Sequence, residues 1–407
     1  MKRSYSTAKM NQVSFENTFE DYVEIGDSLL MNKKLRNDKL NKYAVSVWEK
    51  NFKDYKREED HSVYTGSTGI ALLKLLIASR KPETEKRQIL EDARKLIPTY
   101  KLNKRRITFL CGDAGPLSVA AVIEHRLGND TEANKLIQNL VELGDGVLDI
   151  DANTPNELLY GRCGYLYALL FVKEHIKNAQ IEDEFIKQII DVVLKCGQHM
   201  AKSMKLTSKV PLMFEWHDSN YLGAAHGLSG ILYLLLQARR YVSEDALNFL
   251  IKPSIDYLSS IRFSSGNFPS SLGKERDKLV QWCHGAPGFT HLYCLAYEVY
   301  NDKQYLNIAQ ECGEVVWKRG ILTKGYSICH GVAGNAYTFL QLFKTTNDQK
   351  YLHQAIQFAE WVTDYTTSHE FHYPDRPLSL FEGLAGRLYL IVDIQEPYNA
   401  KFPGYEL

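Results

Sequence analysis

The chain has 407 residues, 44% of them hydrophobic and 24% charged, which is enough apolar material for a large buried core. Its 49 Lys plus Arg balance 49 Asp plus Glu, so the formal charge of +0 excludes nucleic-acid recognition driven by net charge. The polar start, Met1-Lys2-Arg3-Ser4-Tyr5, excludes an apolar secretory signal, and Lys2 excludes N-myristoylation.

In chain order, residues 1–55 read as a helical lead-in to the first of seven Gly-x-x-Gly motifs. The motifs begin at Gly66, Gly112, Gly161, Gly227, Gly285, Gly331 and Gly383. Subtracting successive positions gives spacings of 46, 49, 66, 58, 46 and 52 residues. One such motif is noise, but a near-regular array of seven marks a repeat architecture. The stretches between them carry helical periodicity, as in 185–196, 305–316 and 351–362. The last sets Tyr351, Leu352, Ala355, Phe358, Ala359 and Val362 on one face. Pro253 interrupts the stretch that starts at Ala246. Period-2 runs are nearly absent, so the fold class is all-α.

Each unit of ~50 residues is a helix, a glycine-bearing loop and a second helix. The helix after the loop is apolar on most sides, as in Ile231 to Leu236, and reads as the inner one of its pair. Seven such pairs either open into a superhelix or close into a ring, and periodicity does not choose. Two long inserts, one after Gly164 and one after Gly230, break the spacing beside the shared loop face, where function concentrates. The apolar runs are far shorter than the ~20 residues of a membrane span. Seven scattered cysteines suit a reducing compartment, so a soluble intracellular chain is expected.

If all seven loops lie at one end, the residues before their first glycines converge. Those are Thr65, Cys111, Tyr160, His226, His284, His330 and Glu382. Cysteine precedes two of the histidines, giving Cys283-His284-Gly285 and Cys329-His330-Gly331, one repeat apart. Two thiolates and an imidazole suit zinc and leave a fourth position for water or substrate. His226 occupies the same register as a candidate acid/base.

These residues resemble the lanthionine synthetase C-like family in its eukaryotic branch, over nearly the whole chain. The resemblance rests on Ile107 to Pro116, Asn156 to Arg162, Gly223 to Gly230, Trp282 to Gly288, Cys329-His330-Gly331 and Ser379 to Gly383. It implies a single domain over 1–407, an (α/α) toroid of seven inner and seven outer helices. It also implies one zinc per chain on Cys283, Cys329 and His330, with His226 as acid/base.

For the eukaryotic branch it further implies glutathione as cosubstrate. The glutathione thiolate would add to dehydroalanine or dehydrobutyrine sites in proteins or peptides. Lys324 matches a glutathione-contacting lysine, and Glu157 an acidic residue of the third loop. Where bacterial cyclases carry a tyrosine after the first zinc cysteine, this chain has His284. Where they carry an arginine four residues before it, this chain has Leu279. Both departures speak against lanthionine-forming peptide cyclisation. His226 or His284 would then protonate the enolate.

The alternative reading is a non-catalytic glutathione-binding scaffold with a structural or redox-sensing zinc. Signalling-protein partners, and a peripheral membrane or nuclear location beside the cytoplasm, stay open. So does a role for Arg3 and the segment Phe402 to Leu407 in closing the site.

Overall fold

The computed structural model describes residues 13–23, 28–98, 106–368 and 374–407, so Arg3 lies outside the described residues. Helix α1 (Ser28–Val47) comes first. Helical pairs follow: α2 (Ser67–Ser79) with α3 (Glu83–Lys95), then α4 (Ala114–Arg126) with α5 (Asp130–Leu143). Next are α6 (Arg162–His175) with α7 (Asp183–Ser203), then α8 (Leu228–Gln237) with a broken partner. That partner is α9 (Glu244–Ala246), a π turn at Leu247–Ile251 and α10 (Lys252–Ser260). The last pairs are α11 (Ala286–Tyr300) with α12 (Lys303–Arg319) and α13 (Val332–Thr346) with α14 (Gln349–Ser368). Helix α15 (Leu384–Asp393) ends the series. Among the described residues the only β-structure is isolated bridges.

The helices that follow the glycine motifs form the inner ring. Each touches the next around the circle, and α15 closes on α2, so the repeat is a closed toroid. Helix α8 shows why: every residue from Leu228 to Leu236 is buried, which suits a helix surrounded by protein. The outer helices bury one stripe. In α14 that stripe includes Tyr351, Leu352, Ala355, Phe358, Ala359 and Val362, the face set out by the periodicity. The seventh outer helix comes from the other end of the chain, because α1 packs on both α14 and α15. Pro253 is absorbed by the π turn, where the Lys252 N–H reaches back to Leu247 O before α10 resumes.

The glycine motif has a steric cause. A Cβ at Gly230 would lie 1.9 Å from Ala224 O, and one at Gly334 would lie 1.8 Å from Ile328 O. The second glycine of every motif meets the backbone six residues earlier in this way, at 1.8–2.4 Å. The loop thus folds back onto the first turn of its own inner helix, and only glycine leaves the space.

The segment Ala400 to Leu407 fills the space that the inner ring encloses. Phe402 stacks on Trp282 at 4.8 Å, and Tyr405 packs on Tyr233 at 4.5 Å. The Gln237 side chain holds Tyr405 O and Leu407 N, while Tyr167 Oη donates to Glu406 O at 3.1 Å. Lys344 pairs with the partly buried Glu406 carboxylate and donates to Ala400 O.

Candidate thiol and metal site

The glycine loops lie at one end of the ring and are stitched to each other through their backbones. Cys283 N donates to Cys329 O (3.3 Å), Cys329 N to Phe381 O (3.0 Å), Phe381 N to Tyr64 O (3.0 Å) and Tyr64 N to Leu110 O (2.9 Å). On the other side, Leu158 N donates to Ala225 O at 3.3 Å. This collar gives equivalent loop positions a common height, so residues far apart in sequence meet at one mouth.

Two of those residues are the predicted thiols. Cys283 and Cys329 are both buried and free, and the Cys329 thiol donates to the Cys283 sulfur. That bond holds the Cys283 thiol below its ordinary value. Burial opposes the shift, while the Gln281 amide (Nε2 3.1 Å from Sγ) and the Lys324 charge assist it. Cys329, as donor, is pushed well above its ordinary value. Of the two, Cys283 is therefore the easier to ionise. Tyr64 extends the chain by donating its hydroxyl to the Cys329 sulfur, and its ring stacks on Phe381 at 4.6 Å.

Lys324 reaches this pair through Gln281, with Nζ 3.4 Å from Oε1, and so is a solvent-facing cation beside the buried thiols. His330 follows Cys329 directly, its N–H donating to Ser327 Oγ at 3.3 Å. The donor chemistry of Cys283, Cys329 and His330 fits a thiophilic ion such as zinc. Among the described residues no three His, Cys, Asp or Glu side chains already close into a metal cage; the two thiols are what the fold itself brings together.

The second part of the mouth is acid–base. His226 Nδ1 lies 2.7 Å from Glu157 Oε2, and the buried carboxylate also accepts the Leu159 N–H (2.9 Å) and the Tyr160 N–H. Glu157 thus fixes one imidazole nitrogen and leaves Nε2 free to serve. His284 is different in kind. Burial first, then the neighbouring His226 and Lys324, lower its pKa to about 4, so its ring is neutral near pH 7. Its Nδ1 is buried without a hydrogen-bond partner, and its ring lies 5.8 Å from that of Tyr221. The sequence pairs His284 with His226 as a proton donor; the fold keeps only His226 beside a carboxylate.

The model of the family described as "Lanthionine synthetase C-like protein" matches residues 57–407. The chain belongs to the lanthionine synthetase C-like family. This LanC-like chain is 44% identical to "Glutathione S-transferase LANCL1" of Danio rerio over 86% of its own length and 85% of the relative's. It is 34% identical to "LanC-like protein GCL1" of Arabidopsis thaliana over 86% of itself and 82% of that protein. Nisin cyclase, at 17% identity and a TM-score of 0.65, covers 92% of the chain with 96% of its own and shares the toroid.

Tyr64 and Gln281 are the site residues that sequence reasoning missed. The signal for Tyr64 was present: it stands two residues before Gly66, as Cys283 and Cys329 stand two before Gly285 and Gly331. Gln281 had no such signal, since it acts only through the turn in which Gln281 N and His284 O pair at 3.0 Å.

Proposed function

We propose that this LanC-like chain is a glutathione transferase that adds the glutathione thiolate to dehydroalanine or dehydrobutyrine residues of peptides or proteins. The reading is carried by one arrangement: a thiolate-stabilising cluster and a carboxylate-oriented histidine at the same mouth. The name of the Danio rerio relative supports the transferase class and the thiol. A zinc ion on Cys283, Cys329 and His330 would, when bound, lower the pKa of a thiol presented to it.

The chain's own residues supply the rest. Lys324, poised beside the thiols, suits a glutathione carboxylate. The thiolate sulfur forms a bond to the β-carbon, and the α-carbon gains the electron pair as an enolate. His226 delivers a proton to that carbon and recovers one from the next incoming thiol, so nothing is released besides the adduct. Glu157 orients the imidazole for that transfer.

The test compares metal content and glutathione addition to a dehydroalanine peptide in the wild type, Cys283→Ala and Cys329→Ala. One zinc per chain, lost in both variants together with addition, supports the reading. Addition that survives loss of the metal overturns the metal-dependent mechanism; metal without any addition overturns the transferase.

A further inference from the structure

The longest spacing of the repeat, 66 residues between Gly161 and Gly227, contains a small hairpin. Trp216 and Ser219 exchange backbone hydrogen bonds of 3.0 and 3.1 Å. The two residues between them, His217 and Asp218, both sit at positive φ, 46° and 54°. A two-residue hairpin demands this left-handed turn, which Asn and Gly usually supply. Here two bulkier side chains accept it, and such backbone persists only where its surroundings over-determine it.

The surroundings are the second long insert. Leu222 N donates to Ser270 O at 3.0 Å, Leu272 N donates to Asn220 O at 2.9 Å, and Asn220 Nδ2 donates to Phe214 O at 2.9 Å. The two segments that break the repeat are therefore joined to each other, and together they hold the hairpin at the mouth.

What this fixes is the place of one ring. Trp216 lies 5.8 Å from Tyr160, nearly parallel at 26°. Tyr160 in turn lies 6.2 Å from the His226 imidazole at 6°. The Tyr160 hydroxyl donates to the Cys111 sulfur, so its ring is pinned at both ends. Yet Tyr160 is 40% exposed, at a mouth whose Cys283 and Cys329 thiols are buried. A core does not need this stack, since part of it faces solvent. A surface accident does not need two joined inserts and a left-handed turn to hold it.

We propose that Trp216 and Tyr160 form an aromatic lip that receives the flat dehydroamino-acid unit of a peptide or protein acceptor. The inference rests on reading the site as one of thiol addition. In dehydroalanine the Cα=Cβ bond is conjugated with the carbonyl, so the residue and its flanking amide present a planar π face. A saturated residue, tetrahedral at Cα, does not. Aromatic faces stack on such planes. A unit held on Tyr160 lies alongside His226, the group that protonates its α-carbon. The lip thus selects the unsaturated residue for its shape and positions it for the proton.

The experiment is calorimetric titration without glutathione, so that no turnover occurs, using a short dehydroalanine peptide and its alanine counterpart. Wild type is expected to bind the dehydroalanine peptide about tenfold more tightly, a ratio equivalent to ~1.4 kcal/mol. Trp216→Ala erases that preference, Trp216→Phe keeps most of it, and Tyr160→Leu, on a separate loop, repeats the loss. Glutathione titrated alone binds all variants as it binds wild type. Absence of any preference in wild type overturns the lip, as does a preference that survives both Trp216→Ala and Tyr160→Leu. A loss of glutathione affinity equal to the loss of peptide affinity overturns it too. A wild type that discriminates the peptides but transfers no glutathione refutes the proposed transferase and leaves the lip standing.

Discussion

The Glu157 carboxylate holds His226 Nδ1 at 2.7 Å across 69 residues of sequence, and the same carboxylate accepts two backbone N–H groups of its own loop. One group thus sets both the loop and the imidazole. Replacing Glu157 by Gln keeps the volume but puts a neutral amide in place of the carboxylate that orients the imidazole. Glutathione addition is expected to slow by about 100-fold, within the range of general acid–base contributions. His226→Asn should lose as much, and the double variant little more, because the two act as a unit. Losses that multiply in the double variant would separate the pair.

Tyr64 gives a second prediction. Its hydroxyl donates to the Cys329 sulfur, and Cys329 donates to Cys283. Tyr64→Phe keeps the stack on Phe381 and removes only the donor. A hydrogen bond to a group of this polarity is worth roughly 1 kcal/mol, so the fold survives. The reactivity of the thiol pair should change. Alkylation of the metal-free protein by iodoacetamide, followed by mass spectrometry at Cys283 and Cys329, reads this directly. An unchanged rate at both sulfurs would mean that the hydroxyl does not influence the pair.

The convergence of Cys283, Cys329 and His226 was legible because the repeat assigns each the same loop region, and a closed ring turns register into proximity. The glycines were legible for a related reason: a Cβ at Gly334 would meet Ile328 O, so the motif cannot drift. Three features were not. Helix α1 completes the outer ring without carrying the motif. His217-Asp218 forms a left-handed turn without the Asn-Gly signal. Phe402 and Tyr405 make contacts that are almost wholly non-local, so no period announces them.

Those non-local contacts carry a third prediction. Phe402 is fully buried, stacked on Trp282 and edge-on to Tyr337 at 5.2 Å. Phe402→Ala should cost about 3–5 kcal/mol, as large-to-small changes in packed cores do. Trp282 immediately precedes Cys283, so the cavity also loosens the thiol loop. Calorimetry should show a lowered Tm, and a variant as stable as wild type would mean that the segment merely rests in the ring.

Asp393, the last residue of α15, accepts the Lys401 N–H of that segment and predicts a pH dependence. Asp393 is 1% exposed, and burial pushes its carboxyl up from 3.8 to about 7. The opposing partners are the Lys401 N–H (2.8 Å), Arg80 (3.5 Å) and the Tyr337 hydroxyl (3.2 Å). Between 3.8 and about 7 the folded chain keeps a proton that the unfolded chain has lost. Stability therefore falls as pH rises through that window and no longer changes on this account above it. Asp393→Asn removes the titration while keeping an acceptor for the Lys401 N–H. From about pH 5 to about pH 8, wild type should lose on the order of 3 kcal/mol relative to Asp393→Asn, because each tenfold fall in proton concentration within the window costs the fold about 1.4 kcal/mol. Urea unfolding of both proteins at the two pH values measures the difference. If the two stabilities move in parallel, Asp393 is already ionised in the fold at the lower pH, and Arg80 outweighs its burial.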